Sequence, residues 1–503
     1  MENTKGSLIA LAGGAIIAAC LFGAPAQAEN DKAAKRAAVI EYWTSARRAA
    51  AQPRDMVIDH RGLGYLRRAD GSLQPHGHQI EAQDQAGPTP RAKPDGGGGN
   101  NDTEAPVIDS NSLDPSAGST IGDSHTFSAD VTDNAGVRSV DFVITYPDGS
   151  NTQTFAASNT GGNTWSLNLS GFTSGNWSWQ VIAQDTAKRG GNTAQSSQTS
   201  FTVQTDGGGG GGGGSDGDTV TNEIYTAGAN EDIRYATGRL FYEMPSNPRR
   251  KRWGGYVCSG TVVSDSTTGR SLILTASHCV YDDSNKAFAR NVLFIPDQHN
   301  TSGSGTDTNC GNDPIGCWVA DFGVVDENWT TSTFPGNVAW DYAFYVVSDT
   351  GAHSEGLTPT TDALDAAVTA FTIGWEAPPV TNDGTAGAST PDFTHGMGYS
   401  YADDPNFMYC AEDMENMDAA NWWLPSCGLS GGSSGGPWLQ PFNGSAASST
   451  VISVNSWGYT TSPGMAGPKL FGTSAHCVYS AAQTESAMGS ADGDEGYVAS
   501  CSN

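Results

Sequence analysis

A serine set among glycines and two histidines in nearly identical contexts are the residues of this sequence that best suit chemistry. Ser434 lies in GLSGGSSGGPW, His278 in TASHCVY and His476 in TSAHCVY. Glycines beside a hydroxyl let the backbone turn sharply and leave its amide groups open to an approaching carbonyl. Because a serine hydroxyl is a weak nucleophile, it needs an imidazole that takes its proton. The pattern predicts acyl transfer with Ser434 as nucleophile and one of the two histidines as base.

The first way to complete this chemistry uses His476. Residues 432–436 match G-x-S-x-G, the nucleophile elbow of α/β-hydrolases such as esterases, in which an acidic residue follows the serine and a histidine comes last. Residues 435–475 contain no Asp or Glu, so that acidic residue is missing. The Gly-Gly-Pro after Ser434 also opposes the helix that follows such an elbow, because glycine costs backbone entropy and proline lacks an amide hydrogen. An esterase of this type is therefore the weaker alternative.

The second way uses His278, and here the sequence offers a nucleophile, a base and an acidic residue. Asp341 lies between His278 and Ser434 along the chain, and it opens an apolar run, DYAFYVV. In such a set the imidazole accepts the serine proton and the carboxylate orients the imidazole. Asp321 and Asp326 are rivals for the acidic position, but their context, ADFGVVDEN, lacks the same apolar continuation. We therefore predict His278, Asp341 and Ser434 as the catalytic residues.

Four motifs in this order resemble the chymotrypsin-like, trypsin-fold serine peptidases. They are CSGTVV with LTASHC, WDYAFYVV, GSSGGP and VNSWG, and they span about residues 256–458. The resemblance implies a disulfide between Cys258 and Cys279, next to the histidine. The backbone N–H groups of Gly432 and Ser434 would make the oxyanion hole. The strand that pairs with the substrate backbone would be Ser456, Trp457 and Gly458.

The sequence departs from the digestive members of that family. Ser433 stands where they have an aspartate that pairs with a new N-terminus after activation, and no IVGG-like start precedes Cys258. The resemblance is therefore closer to secreted bacterial members, including glutamyl endopeptidases. That branch usually has a histidine where this chain has Asn455, so the cleavage preference stays open. Lys469 falls near the expected floor of the specificity pocket, where it would meet an acidic side chain or simply be a surface lysine.

The rest of the sequence must supply the elements that position these residues. Glycine runs at 96–99 and 207–214 act as flexible tethers that divide the chain. Short alternating apolar runs between turn signals predict strands on both sides of the second tether. We predict a signal peptide (1–28), a pro-region (29–95), a linker (96–103), an immunoglobulin-like β-sandwich (104–205), a second linker (206–218) and a trypsin-like serine peptidase domain (219–503).

The predicted fold class is all-β. It comprises a double antiparallel β-barrel of the chymotrypsin type, preceded by the sandwich and by a small α/β pro-region. The sandwich is similar to immunoglobulin-like or fibronectin-like modules of secreted bacterial hydrolases, where it would act as a spacer or attach to a substrate. The pro-region is comparatively basic and would pair with the acidic enzyme during folding before it is cut away, as in a zymogen.

The N-terminus and the cysteines indicate export. A lysine, an apolar run and AQA ending at Ala28 are typical of a signal peptide, whereas IAAC ending at Cys20 would allow a lipid-anchored form. The other eight cysteines all follow residue 257, and their even number predicts disulfides. They are Cys258, Cys279, Cys310, Cys317, Cys410, Cys427, Cys477 and Cys501. Cys310 and Cys317, which are close in sequence, would alternatively bind a metal ion, but no second cysteine pair and no cluster of histidines supports a metal site. His476 is then explained as the neighbour of a disulfide at Cys477, with Cys501 as its candidate partner.

The charge distribution argues against several classes of partner. The net charge is −29, and residues after 95 hold 13 Lys and Arg against 44 Asp and Glu, compared with 12 against 10 before that point. A surface with this excess of negative charge does not favour the binding of nucleic acid or of an anionic membrane. We expect a secreted monomer that acts on proteins or peptides without metal or organic cofactor, attached to a membrane only if Cys20 is lipidated. The alternative from another class is a catalytically idle adhesin or binding protein on the same scaffold.

Overall fold

The N-terminal part of the chain forms two helices and a small set of strands. The computed structural model describes residues 24–59, 62–77, 103–121, 124–145, 147, 152–170, 172, 175–186, 191–203, 219–226, 231–247, 249, 251–349, 353, 356, 363–380, 391–460, 463–487 and 495–501. The N-terminal elements are α1 (Ala24–Tyr42), α2 (Ser45–Ala50), β1 (Gln52–Pro53), β2 (Asp55–Ile58), β3 (Gly64–Arg67) and β4 (Leu73–Pro75). The hydroxyl of Thr44 caps α2 by accepting a hydrogen bond from the Arg47 amide.

Residues 103–203 form two sheets around one core. The strands are β5 (Val107–Ile108), β6 (Thr120–Ile121), β7 (Ser124–Thr132), β8 (Val137–Thr145), β9 (Thr152–Ala156), β10 (Ser158–Gly161), β11 (Thr164–Ser170), β12 (Gly175–Asp185), β13 (Thr193–Gln195) and β14 (Thr199–Val203). One sheet has the order β10-β11-β7-β5, and the other β6-β14-β12-β8-β9 with β13 beside β12. Their strands are antiparallel except for the pair β6 and β14. Trp179 of β12 packs edge-on against Phe127 of β7 at 5.0 Å between ring centroids, so both sheets contribute to this core.

Residues 219–501 form the sheets around the candidate site. Their strands are β15 (Val220–Ile224), β16 (Thr237–Pro245), β17 (Trp253–Val263), β18 (Arg270–Thr275), β19 (Tyr281–Asp282), β20 (Ala287–Phe288), β21 (Arg290–Pro296), β22 (Trp318–Val319), β23 (Phe322–Asp326), β24 (Ala343–Ser348), β25 (Thr372–Ile373), β26 (Phe393–Gly398), β27 (Met408–Asp413), β28 (Glu415–Asn416), β29 (Asn421–Leu424), β30 (Pro437–Leu439), β31 (Thr450–Val454), β32 (Trp457–Tyr459), β33 (Met465–Pro468) and β34 (Gly496–Ala499).

Short helices connect these strands. The α-helices are α3 (Asp232–Ala236), α4 (Glu327–Thr331), α5 (Leu364–Ala367) and α6 (Ala475–Thr484), and the 3-10 helices are Ser277–Cys279, Gln298–Asn300, Cys310–Asn312, Val338–Trp340 and Tyr401–Asp403. Two of the 3-10 helices border predicted catalytic residues. The first contains His278, and the fourth ends directly before Asp341.

Three sheets converge on the candidate site. A nine-stranded sheet has the order β22-β21-β16-β17-β18-β24-β23-β34, with β1 added to β17. Within it β18 and β24 are antiparallel, and Thr275 at the end of β18 is paired with Ala343 at the start of β24. A six-stranded sheet follows the order β15-β27-β26-β30-β31-β25, and a seven-stranded sheet follows β28-β29-β33-β32-β2-β3-β4. The strands β2, β3 and β4 of this last sheet come from the N-terminal part of the chain.

The N-terminal helices and strands pack into the same body as residues 219–501. Trp43 and Ala51 are buried in a cluster with Phe241, Val257 and other residues of the nine-stranded sheet. Met56 and Ile58 of β2 belong to the largest core cluster. The N-terminal part therefore has no separate core of its own among the described residues.

Four disulfides connect the eight cysteines that follow residue 257. The pairs are Cys258–Cys279, Cys310–Cys317, Cys410–Cys427 and Cys477–Cys501. The predicted disulfides are thus confirmed, and the close third and fourth cysteines bond to each other. Disulfides in this number indicate an oxidising compartment. Among the described residues, no helix combines the length and apolar character that a membrane crossing requires.

The prediction of a mostly β protein is confirmed, with strands in every described part of the chain. Several finer predictions fall outside the described residues: most of the signal peptide, Cys20, and nearly all of both glycine linkers. The exposed loop between β16 and β17 carries the basic residues Arg249, Lys251 and Arg252. Because β16 pairs with both β17 and β21, it is an integral strand of the nine-stranded sheet.

His395 makes the stability of the six-stranded sheet depend on pH. Its ring stacks on Phe442 at 4.0 Å between centroids, and burial lowers its pKa to about 4. The unfolded chain has the ordinary pKa of about 6.5, so it binds a proton as the pH falls below that value while the folded state does not. The stability contributed by neutral His395 is therefore complete above about pH 6.5 and is lost as the pH falls toward 4.

We expect His395→Phe to remove this dependence. The difference in free energy of unfolding between wild type and variant should shift in favour of the variant by about 2 kcal/mol from pH 7.5 to pH 4.5. Urea unfolding at both pH values measures this shift. The exposed His476 supplies the matched control, His476→Phe. An equal shift in both variants would contradict the assignment.

Candidate active site

His278 lies at the end of a buried strand, where its position is fixed by a disulfide. β18 is buried from its second residue onward, and the 3-10 helix Ser277–Cys279 follows it at once. Cys279 is bonded to Cys258 of β17, and its carbonyl accepts a hydrogen bond of 2.7 Å from the hydroxyl of Tyr345 in β24. The His278 side chain is fully buried.

Both carboxylate oxygens of Asp341 are hydrogen-bonded to His278. Its Oδ1 accepts a hydrogen bond from the His278 backbone amide at 2.8 Å, and its Oδ2 lies 2.7 Å from His278 Nδ1. The hydroxyl of Ser456 donates to the same Oδ2 at 2.5 Å. Three donors therefore compensate a carboxylate that is only 2% exposed. The arrangement orients the ring and places Nε2 on the opposite side.

Ser277 holds the aspartate segment in place. Its hydroxyl lies 2.9 Å from the carbonyl oxygen of Trp340 and 2.7 Å from that of Tyr342, the two residues that flank Asp341. The sequence analysis did not single out Ser277. Its position directly before the histidine was the only available signal.

The rival carboxylates contact other groups. Asp321 accepts a hydrogen bond from the Ser348 amide at 2.9 Å and lies 3.9 Å from Arg36. Asp326 caps α4 and accepts a hydrogen bond of 2.5 Å from the hydroxyl of Ser474. Of the three candidate aspartates, the structure brings Asp341 to His278.

The loop that carries Ser434 is shaped by two glycines and bonded to the nine-stranded sheet. Gly432 has φ +97° and Gly435 has φ +80°, which are backbone conformations that residues with a side chain rarely adopt. The Ser434 carbonyl accepts a hydrogen bond of 2.7 Å from the Ser259 amide, and the Ser259 hydroxyl donates to the Gly432 carbonyl at 2.9 Å. Since Ser259 adjoins Cys258, these bonds bring the serine loop to the disulfide that borders His278.

The serine loop leads into a strand. β30 begins at Pro437, three residues after Ser434, and pairs with β26 and β31. A nucleophile elbow would enter a helix at this point. The serine loop of this chain therefore lacks the turn into a helix that defines such an elbow.

The site contains unused hydrogen-bonding groups where acyl transfer would need them. Within the described part of the chain, the amides of Gly432 and Ser434 donate to no protein group, and buried His278 Nε2 has no hydrogen-bond partner. The hydrogen bond between Nε2 and the Ser434 hydroxyl is thus not made. In free enzymes such bonds are often long and tighten only when substrate binds.

The predicted substrate-binding residues already form hydrogen bonds and strand pairs with other parts of the chain. Ser456 donates its hydroxyl to Asp341, and its amide donates to the Ala466 carbonyl at 3.0 Å. β32 pairs with β33 on one side, and on the other side it pairs in parallel with β2, with Met56 opposite Trp457 and Val57 opposite Gly458. The edge that the resemblance assigns to substrate is therefore covered by the chain's own N-terminal strand.

Asp55, at the start of β2, lies at the centre of the site. A Cβ atom at Gly431 would lie 2.5 Å from Asp55 Cβ and 2.9 Å from Pro53 Cβ. Burial raises the pKa of Asp55, while the electrostatic interactions with Arg67 and His278 oppose the rise. Its Oδ2 lies 3.5 Å from Arg67 Nη1. The sequence analysis missed this residue, because nothing local connects it to the serine loop.

His476 and Lys469 lie in other surroundings. His476 is exposed on α6, with its ring centroid 4.7 Å from that of Trp375, and the adjacent Cys477 forms the disulfide with Cys501. Lys469 Nζ donates hydrogen bonds of 2.6 Å to the Asn416 side chain and to the Asp418 carbonyl. Burial lowers its pKa.

One cluster in the described part of the chain has the composition of a metal site. Cys258, His278 and Cys279 offer ligand atoms within 4.8 Å of one another. Both sulfur atoms belong to the same disulfide, so neither is a thiolate that could bind a metal ion. The cluster is a disulfide beside the histidine.

Comparisons with known proteins leave the family open. No family model and no curated protein match the chain. An endo-beta-1,4-mannanase from Thermotoga petrophila is similar over 21% of this chain and 21% of its own, with 13% identity and a TM-score of 0.17. A cycloalternan-degrading enzyme from Trueperella pyogenes is similar over 47% of this chain and 29% of its own, with 8% identity and a TM-score of 0.14. Likenesses this weak carry no argument about fold or activity.

Asn455 holds the serine loop in place through hydrogen bonds. Its Nδ2 donates to the carbonyls of Met397 at 2.8 Å and Ser433 at 3.0 Å, and its Oδ1 accepts from Trp438 Nε1 at 2.8 Å. Its backbone carbonyl also accepts from the Gly435 amide at 2.8 Å. In the sequence Asn455 stood out only as a departure from glutamyl endopeptidases, whereas in the structure its side chain is fully buried and forms three hydrogen bonds.

We expect Asn455→Ala to lower the free energy of unfolding by about 2–3 kcal/mol, because three buried polar partners would lose their hydrogen bonds. Urea unfolding measures the loss. Asn443→Ala is the matched control, since the Asn443 side chain forms an exposed hydrogen bond of 2.8 Å to the Ser448 carbonyl. Equal stability of the two variants would show that Asn455 does not hold the loop.

Proposed function

We propose that this chain is a secreted serine endopeptidase that hydrolyses peptide bonds through an acyl-enzyme on Ser434. One observation carries the proposal. His278 is bonded to Asp341 through both its backbone amide and Nδ1, and Nε2 is left buried without a partner beside the loop of Ser434. A buried ring nitrogen without a partner has a cost, and a proton acceptor for a nearby hydroxyl explains its retention.

The proposed reaction assigns a role to each residue. Ser434 Oγ attacks the carbonyl carbon of the substrate while His278 Nε2 takes the hydroxyl proton. The amides of Gly432 and Ser434 donate to the oxyanion of the tetrahedral intermediate. His278 returns the proton to the leaving amine as the C–N bond breaks. Water then attacks the ester with His278 as base, which releases the acid and restores the hydroxyl. Asp341 keeps the ring in the required tautomer throughout.

The proposal includes the resemblance to chymotrypsin-like peptidases and the double β-barrel that belongs to it. Its support is the origin of the residues: His278 and Asp341 come from the nine-stranded sheet, whereas Ser434 and Ser456 come from the loops around β30 and β31 of the six-stranded sheet. A cleft between two sheet systems is a suitable place for an extended peptide. We likewise propose that residues 104–205 are an immunoglobulin-like module, supported by their two mostly antiparallel sheets and common core.

The proposal also places the protein outside the cytoplasm. The disulfides support an oxidising compartment, and the signal peptide over residues 1–28 remains part of the proposal, with acylation at Cys20 as its alternative. Protein or peptide substrates are the proposed partners. The acidic surface favours neither nucleic acid nor anionic lipid.

Fluorophosphonate labelling tests the chemistry. We expect the wild-type chain to be labelled on prolonged incubation with excess probe, because the probe reacts with an activated serine. Ser434→Ala should abolish labelling, and His278→Ala should slow it by about a thousandfold or more. His476→Ala is the matched control and should label like the wild type. Mass spectrometry of the digested adduct identifies the labelled residue.

Two outcomes would contradict the proposal. Loss of labelling in His476→Ala with retention in His278→Ala would reassign the base, and absence of labelling in every form would favour the idle binding protein. Digestion of a mixed peptide library, read by mass spectrometry, separates a peptidase from an esterase. Cleaved peptides should appear with the wild type on prolonged incubation and be absent with Ser434→Ala under the same conditions.

A further inference from the structure

The N-terminal segment crosses the whole candidate site in one direction. Gln52 and Pro53 of β1 pair in parallel with Tyr256 and Val257 of β17, in the nine-stranded sheet. Three residues later, Met56–Ile58 pair in parallel with Trp457–Tyr459 of β32, in the seven-stranded sheet. Arg54 and Asp55 connect these two pairings. The segment therefore joins the two sheets beside the loop that carries Ser434.

We propose that residues 52–58 are an inhibitor built into the chain, which keeps peptides out of the proposed active site until the segment is released. The inference rests on the function proposed above. An edge of a strand can pair with only one partner at a time, so a substrate cannot use Trp457–Tyr459 while β2 occupies it. Pro53 and Asp55 also cover Gly431, next to the amides assigned to the oxyanion.

Asp55 opposes the chemistry in a second way. Its side chain lies over Gly431 and interacts electrostatically with His278. The proposed reaction develops negative charge on the substrate oxygen in this region, and a fixed carboxylate there destabilises it. The segment therefore presents an unfavourable charge at the position where a cleavable bond would have to lie.

Two neighbouring carboxylates hold the segment in place. Arg54 is 1% exposed and lies 3.2 Å from Asp282 and 3.5 Å from Asp283. His76, beyond the hairpin of β3 and β4, lies 2.7 Å from the same Asp283. Burial alone would raise the pKa of Asp283, but His76 and Arg54 outweigh it and hold that pKa well below its usual range. Two of the side chains that stabilise the ionised carboxylate, Arg54 and His76, therefore belong to the N-terminal segment.

Further contacts secure the segment before it enters the site. Trp43 Nε1 donates a hydrogen bond of 2.6 Å to the Asn291 carbonyl, and its ring packs against Phe241. Arg36 of α1 donates to the Ser348 carbonyl at 3.0 Å, and the hydroxyl of Tyr42 is hydrogen-bonded to Glu243. Attachment at both ends explains how a short strand can remain in the cleft. It also means that release requires the helices and the hairpin to leave together.

The test compares the rates of fluorophosphonate labelling in the full chain. Arg54→Ala with His76→Ala removes the two side chains of the segment that contact Asp283, and it should raise the labelling rate at least about tenfold because the attachment loses these buried polar contacts. Arg68→Ala is the matched control: Arg68 lies in the same segment, but its guanidinium forms an exposed hydrogen bond of 2.9 Å to Gln74. It should label at the wild-type rate.

A second measurement uses wild-type contacts only, so it does not depend on the folding of the double variant. A recognition sequence for a specific protease is inserted in residues 96–103, and the folded chain is cut there. The N-terminal fragment should stay bound in size-exclusion chromatography at high concentration. Dilution should release it and raise the labelling rate at least about tenfold, because a fragment held without a covalent link dissociates by mass action.

The outcomes separate the two proposals. Equal labelling rates in the wild type, the double variant and the diluted cut chain would overturn the inhibitor role and leave the serine peptidase intact. Absence of labelling after the fragment has been released would overturn the proposed function, and the inhibitor role with it. Faster labelling in both the double variant and the diluted cut chain supports the inference.

Discussion

The carboxylate of Asp341 is the constraint on which the candidate site depends. It is buried, and it receives donors from His278 and from Ser456, which belong to different sheets. A buried carboxylate that lacks its donors costs several kcal/mol, so the sheets are stable together only when the donors converge on it. The same bonds leave His278 Nε2 as the free side of the ring. One buried carboxylate thus links the His278 and Ser456 segments and leaves His278 Nε2 available for chemistry.

The N-terminal segment adds a second constraint of the same kind. β2 satisfies the backbone groups along one edge of β32, and Arg54 and His76 contact the buried carboxylates of Asp282 and Asp283. Unpaired strand edges and unpaired buried charges both have a cost, so the body that contains the site is most stable with the segment in place. A substrate that pairs with the same edge must compete with this attachment. Stability of the described chain and access to the proposed active site therefore oppose each other.

The sequence indicated the parts of the site that lie in local motifs. The order of His278, Asp341 and Ser434, and the mostly β character, follow from glycine placement and short apolar runs, and the eight paired cysteines follow from their even number in one region. The roles of Asn455, Ser277 and Asp55 could not be predicted from the sequence, because they depend on contacts between segments far apart in the chain. Polar residues that meet across sheets leave no periodic pattern. The parallel pairing of β2 with β32 joins residues about 400 positions apart, and no local signal could reveal it.

A crystal structure of the fluorophosphonate-treated chain tests the central claim most directly, because it reports the nucleophile, the base and the segment together. The account predicts a phosphorus–oxygen bond at Ser434 Oγ, with a phosphonyl oxygen about 3 Å from the amides of Gly432 and Ser434. It also predicts that residues 52–58 no longer lie along Trp457–Tyr459. An adduct on another residue, or one formed on Ser434 with β2 still paired to β32, would contradict the account.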